Sequence, residues 1–240
     1  MRAASRSTAV LLALGHLLIG ARASAGQDPA PVEPGRAAGP GLHRLQLDYA
    51  RDGVLYVPRS YKTGTATPLI VWLHGAGGSG IVSEDLTALS DEFGFLVLAP
   101  DSREWTWGSL LGDWGPDLEF IRRALQQTLA EYTIDRERVW LGGFSDGASF
   151  SLSCGISYGD VFRRIYAGSP GVMQPIARNG APRIFISHGT SDQTMPIDDT
   201  SRKFVPRLKA LGYNVTYREY EGRHQLPPEI LREVIQWFVG

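Results

Sequence analysis

Residues 138–157 read "RVWLGGFSDGASFSLSCGIS". The stretch opens on an apolar run, Val139-Trp140-Leu141, as expected of a strand buried on both faces. It closes on "GASFSLSCGIS", which reads as a helix. Ser145 stands between the two, with Gly143 and Gly147 on either side. A glycine-flanked serine alone is a weak signal, since ordinary turns use the same residues. After a buried strand and at the head of a helix it gains weight, because there the turn is strained and the hydroxyl stands exposed at its tip. Glycines at 143 and 147 leave room for the neighbouring strand and helix to close around that turn. The corner predicts strand–helix–strand units and marks Ser145 as a candidate nucleophile.

Outward from this corner, strands and helices alternate. "HRLQLDY" and "GVLYVP" alternate polar with apolar residues and lie close together, as in an antiparallel pair. "PLIVWLH", running into "GAGGSG", and "GFLVLAPD" read as buried strands with a helix over 83–93 between them. "DLEFIRRALQQTLAEY" has helical spacing, with Asp117 and Glu119 near its start, where the helix dipole favours carboxylates. After the Ser145 corner come the strands "RIYAGSP" and "RIFISHG" and the helix "TSRKFVPRLKALG". In that helix Pro206 predicts a kink or a later start. "NVTYREY" is a last strand and "PPEILREVIQWFV" a last helix with proline at its entrance. The alternation predicts an α/β fold with a mostly parallel, doubly wound sheet and an antiparallel strand near the N-terminus. Residues 172–181 alone separate "YAGSPG" from "PRIFISHG", which leaves no room there for a cap domain.

The chain has 240 residues, enough for one domain with a single large core. Its formal net charge is -1, and no basic run lies beyond the N-terminus, which argues against nucleic acid as a partner. Arg2 and Arg6, the apolar stretch "TAVLLALGHLLIGA" and Ala23-Ser24-Ala25 fit a secretory signal peptide over residues 1–25. The expected mature protein is secreted or periplasmic, with no stable membrane anchor once the signal is cleaved. Residues 26–41, "GQDPAPVEPGRAAGPG", read as a flexible leader, and residues 42–240 as the globular domain. Cys154 is the single cysteine, so no disulfide can form within the chain; it reads as a small buried apolar residue.

In doubly wound sheets ligands sit beyond the carboxyl ends of the strands. His74, Asp101, Ser145, His188, Asp192 and His224 all fall at or just past such ends. Serine is a poor nucleophile at neutral pH and needs a base, which in turn needs an orienting acid. On a strand–turn–helix corner these follow in the chain order Ser, Asp, His. Asp192 in "HGTSDQTMP" and His224 in "YEGRHQLP" meet that order. Asp198 and Asp199 compete with Asp192 for the acid, though at the head of a helix they suit N-capping. His74 and His188 precede the acid or lie in loops, and read as bracing hydrogen-bond partners. An oxyanion needs two backbone N–H donors. Asp146, next after the serine, supplies one; the "HGAGG" loop supplies the other through Ala76 or Gly77.

Together "HGAGG", "GFSDG", "HGTSD" and "YEGRH" resemble the α/β-hydrolase superfamily, in particular its phospholipase/carboxylesterase and poly(3-hydroxybutyrate)-depolymerase-like esterase branches. The resemblance covers residues 44–240. It implies Ser145 as nucleophile, His224 as general base and acid, Asp192 as its orienter, no cofactor and no metal. The short link before "PRIFISHG" and the export signal together favour an ester larger than a metabolite or displayed on a polymer: a polyhydroxyalkanoate, an acylated or feruloylated polysaccharide, or a lipid. The loop "DSREWTWGSLLGDWG" carries Trp105, Trp107 and Trp114, which either line a substrate pocket or pack in the core. Three other readings remain open at this stage. They are a serine peptidase on the same triad, a metal hydrolase using the strand-end His and Asp residues, and a non-catalytic secreted binding protein.

Overall fold

The computed structural model describes residues 38–108 and 114–240. Its centre is an eight-stranded sheet in the order β1-β2-β4-β3-β5-β6-β7-β8. The strands are β1 Gly41–Arg44, β2 Gly53–Val57, β3 Thr67–Leu73, β4 Leu96–Pro100, β5 Ile134–Phe144, β6 Arg164–Gly168, β7 Arg183–Gly189 and β8 Val215–Tyr220. β2 runs antiparallel to both its neighbours, and every other pairing is parallel. The expected architecture is therefore the observed one, including the antiparallel strand near the N-terminus and the short, cap-free link between β6 and β7.

Five helices cover the sheet among the described residues: α1 Glu84–Phe93, α2 Gly115–Glu131, α3 Asp146–Ser157, α4 Ser201–Ala210 and α5 Pro228–Val239. Strand alternation sends Leu69, Val71 and Leu73 of β3 to one face, where they join Leu118, Ile121, Phe150 and Cys154 of α2 and α3. Ile70, together with Val97 of β4, goes to the other face and meets Leu86 and Leu89 of α1 and Val234, Ile235 and Phe238 of α5. A third cluster joins α3 and α4 to β6 and β7. Burial pushes the Cys154 thiol up, so it packs as the apolar residue the sequence suggested.

Chain order in the sheet reverses at β3: β4 lies on one side of it, and the chain then crosses over to β5 on the other. The crevice for a ligand in such a sheet opens at the carboxyl ends of the strands flanking that switch. Those ends carry the "HGAGG" loop and Ser145.

The expected signal peptide, residues 1–25, and residues 26–37 of the expected leader lie outside the described residues. The end of that leader touches the domain. β1 takes in Gly41, and Tyr132 Oη donates to the carbonyl of Ala38. Three local expectations need correction. α4 begins at Ser201 with Pro206 inside it, so of the kink or later start expected there the later start is excluded. Asp198 and Asp199 do not cap α4 but, from the turn before it, pair with Arg202 and Lys203 of its first turn. Asp117 does more than face a helix dipole: its buried carboxylate accepts the backbone N–H groups of Arg103 and Gly108, binding the loop after β4 to α2.

Candidate active site

β5 delivers the chain to Ser145, whose backbone sits at φ 60° and ψ −121°. A non-glycine residue in that region is strained and persists only when its surroundings hold it. Three bonds hold it: Ser145 N–H donates to the Gly168 carbonyl at 2.8 Å, and Ser145 O accepts from Ser149 N–H at 3.0 Å and from the Ser149 hydroxyl at 3.2 Å. Glycine at 147 is a steric necessity. A Cβ there would lie 2.2 Å from the Leu73 carbonyl oxygen and 2.5 Å from that of His74. At Gly143 a Cβ would lie 2.7 Å from the Gly147 backbone. The end of β3 and the head of α3 thus press directly on the corner.

His224 Nε2 lies 2.8 Å from Ser145 Oγ, and His224 Nδ1 lies 2.6 Å from Asp192 Oδ2. With the carboxylate accepting at Nδ1, the ring proton belongs on Nδ1, which leaves Nε2 to accept from the serine hydroxyl. The other oxygen of Asp192 accepts the N–H groups of Thr194 and Met195, each at 2.9 Å. Burial works to raise the Asp192 carboxyl. The Met195 amide and the His224 imidazole outweigh it and hold the carboxyl below the usual carboxylate range. Asp192 is therefore a fixed negative charge behind the ring. The Phe144 ring packs against His224, centroids 4.8 Å apart.

The other two strand-end histidines are engaged elsewhere. His74 Nδ1–H donates to Gly75 O at 2.7 Å, and Nε2 accepts from Ser102 N–H at 3.0 Å. His188 is buried; its Nε2–H donates to Met195 O at 2.8 Å and its Nδ1 accepts from Ser201 Oγ at 2.7 Å. His188 Nε2 also passes 3.3 Å from Asp192 Oδ2. Burial lowers the pKa of both rings, which keeps them neutral. Asp101 accepts the N–H of Gly80 and so ties down the far side of the β3 loop.

The two loop residues expected to face an oxyanion, Ala76 and Gly77, differ in how their N–H groups are bonded. Gly77 N–H donates to the Trp105 carbonyl at 2.8 Å and is not available to a ligand. Among the described residues no partner takes the N–H of Ala76 or of Asp146. The β3 loop lies against the serine: a Cβ on Gly75 would lie 3.8 Å from Ser145 Oγ.

The tryptophans divide as well. Trp107 is fully buried, donates from Nε1 to the His74 carbonyl and packs against Phe150, so it is core and not pocket lining. Trp114 is partly buried against the same Phe150 ring and belongs to that cluster too. Trp105 alone is open, 68% exposed, with its indole over Gly77.

Two features escaped sequence reading. Thr106 is buried and donates from Oγ1 to Asp146 Oδ2 at 2.6 Å. Within "WTW" it offered no signal apart from its aromatic neighbours. The second is a serine stripe on α3. Ser149 Oγ accepts from Gly171 and Val172 N–H, Ser153 Oγ from Gln174 N–H and Ser157 Oγ from Ile176 N–H. That stripe pins the β6–β7 link along the helix. Its four-residue period, starting from Ser145, was the signal available.

A family model described as Phospholipase/Carboxylesterase matches residues 118–239, just over half of the chain. A probable feruloyl esterase C of Aspergillus clavatus is 24% identical over 195 residues, which cover 74% of this chain and 70% of that protein. The feruloyl esterase B of Neurospora crassa is 32% identical over 117 residues, 45% of this chain but only 39% of its own length. Among solved structures, a ferulic acid esterase of Anaeromyces mucronatus in complex with ferulic acid superposes with a TM-score of 0.66 at 18% identity. That superposition spans 89% of this chain and 93% of that one. At such identity the likeness bears on the fold.

Proposed function

Since this chain belongs to the phospholipase/carboxylesterase family and is a serine ester hydrolase of the α/β-hydrolase superfamily, we propose that Ser145, His224 and Asp192 carry its chemistry. Ser145 Oγ attacks the ester carbonyl while His224 Nε2 takes its proton. The N–H groups of Ala76 and Asp146 receive the oxyanion. His224 returns the proton to the leaving alcohol, and an acyl-enzyme on Ser145 remains. A water molecule, deprotonated by the same imidazole, then releases the acid. The hydrogen-bonded chain from Ser145 Oγ through His224 to Asp192, at 2.8 Å and 2.6 Å, carries this reading.

The substrate proposal is a hydroxycinnamoyl or related acyl ester displayed on a polysaccharide. Its support is the names of the similar curated proteins, the absence of a cap over the β6–β7 link, and an exposed indole beside the oxyanion loop. A polyester such as poly(3-hydroxybutyrate) is the second reading, supported by the motif set alone. We propose further that residues 1–25 are a cleaved signal, that 26–41 are a leader, and that the enzyme acts outside the cytoplasm. The decisive panel is methyl ferulate, p-nitrophenyl esters of increasing chain length, and a poly(3-hydroxybutyrate) suspension. A kcat/KM for methyl ferulate below that for p-nitrophenyl acetate by several orders of magnitude would sink the hydroxycinnamoyl assignment. Amino-terminal sequencing of exported protein should begin at Gly26.

A further inference from the structure

The loop from Ser102 to Gly108 is bonded to both halves of the proposed oxyanion hole. Toward the β3 loop it makes three bonds. Ser102 N–H donates to His74 Nε2 at 3.0 Å, Trp105 O accepts from Gly77 N–H at 2.8 Å, and Trp107 Nε1–H donates to His74 O at 2.8 Å. These fix the loop that contains Ala76. Toward the nucleophile corner it makes one, from Thr106 Oγ1 to Asp146 Oδ2 at 2.6 Å. The loop is itself anchored from behind: Asp117 accepts from Arg103 and Gly108 N–H, and the Arg51 guanidinium bonds both Ser102 and Gly78 O. Trp107 fills the core beneath it.

We propose that Thr106 is a positioning residue for ester hydrolysis, setting the separation of the two oxyanion donors through its bond to the Asp146 carboxylate. The inference rests on the reading of Ser145, Ala76 and Asp146 given above. Asp146 is the first residue of α3, where N–H groups lack partners within the helix and point at an arriving anion. The peptide that carries its N–H is fixed on the carbonyl side, where Ser145 O accepts from Ser149, and the Asp146 side chain links that peptide to the loop after β4. The side-chain bond to a buried threonine thus ties this donor to the same anchored loop that holds the Ala76 segment. An oxyanion donor acts only where charge develops in the transition state, so a loosened donor lowers kcat and leaves KM largely alone. The same bond turns the Asp146 carboxylate toward the loop after β4, where the threonine hydroxyl meets its charge.

The test is steady-state kinetics on p-nitrophenyl acetate with Thr106→Val, Thr106→Ser, Asp146→Leu, the Thr106→Val/Asp146→Leu double variant, and Ser145→Ala. Each is checked for a native unfolding transition. The inference expects kcat to fall about tenfold or more in Thr106→Val, with KM within about twofold. Thr106→Ser, which keeps the hydroxyl, should regain most of that loss. The double variant should be no slower than Asp146→Leu alone, since both remove one interaction. Full kcat in Thr106→Val beside an inactive Ser145→Ala would overturn the positioning role and leave the triad standing. Equal losses in the valine and serine variants, a parallel rise in KM, or additive losses in the double variant would overturn it too. An active Ser145→Ala would instead overturn the underlying reading of the site.

Discussion

Ser145 is held in a backbone conformation that only its neighbours make tenable, and the residues that enforce it are visible in the sequence as Gly143 and Gly147. The same holds for the histidine and the acid, whose order after the serine follows from the strand–turn–helix logic. Asp192→Asn should lower kcat by about 10³-fold or more, because an amide in place of the carboxylate favours the wrong imidazole tautomer. Asp198→Asn and Asp199→Asn should change it little, since both carboxylates pair with exposed cations on α4. If either of these outdoes Asp192→Asn, the acid has been misassigned. The choice among tryptophans was not legible, because a run of indoles after a strand suits a pocket and a core equally. Packing separates them. Trp107→Ala should cost about 3–5 kcal/mol of stability, the range for removing a buried large aromatic. Trp105→Ala should leave the unfolding temperature nearly unchanged and raise KM for methyl ferulate about three- to tenfold, a loss on the scale of one aromatic contact. Equal defects in both variants on every ester would place the acyl site elsewhere.

The strands and helices were readable because their apolar periods differ, and the order of elements followed from that difference. What the periods do not encode is how a loop is held. α3 is buried on every side, yet from Ser145 at its N-cap serines recur at every fourth position, an arrangement an apolar-pattern reading passes over. The three within the helix, Ser149, Ser153 and Ser157, give up hydroxyl lone pairs to backbone N–H groups of the β6–β7 link. Ser153→Ala would strand the N–H of Gln174, so it should cost about 1–2 kcal/mol in a denaturant titration, with kcat unchanged. A neutral effect on stability would mean that water replaces the hydroxyl without loss. The loop after β4 shows the same limit in another form. Asp117 looks from sequence like a carboxylate at a helix start, whereas in the fold it is buried and organises the loop preceding that helix.

Across the whole molecule, two neutral histidines, His188 buried and His74 half-buried, tie stability to pH. The pKa values of His74 and His188 lie below the ordinary histidine value, chiefly through burial. The unfolded chain takes up protons as pH falls below ~6.5 that the folded chain refuses, so stability declines in that direction. Asp192 adds to the decline at lower pH: its depressed carboxyl contributes stability above ~3.9 that is lost as pH falls through the folded value. Asp117, raised by burial, acts in the opposite sense as a single group. The unfolding temperature should therefore be lower at pH 5.5 than at pH 7, and a flat or rising curve would mean that the two rings are charged in the fold. All these groups gather at one end of the sheet, where the chain order reverses, and the claim common to every part of the account is that Ser145 forms the covalent intermediate. Mass spectrometry of the intact protein and its peptides after treatment with a fluorophosphonate tests that claim most directly. The account predicts one adduct, on the peptide carrying Ser145, absent from Ser145→Ala together with all esterase activity above background. An adduct on another residue, or a Ser145→Ala protein that still labels and still turns over p-nitrophenyl acetate, would contradict it.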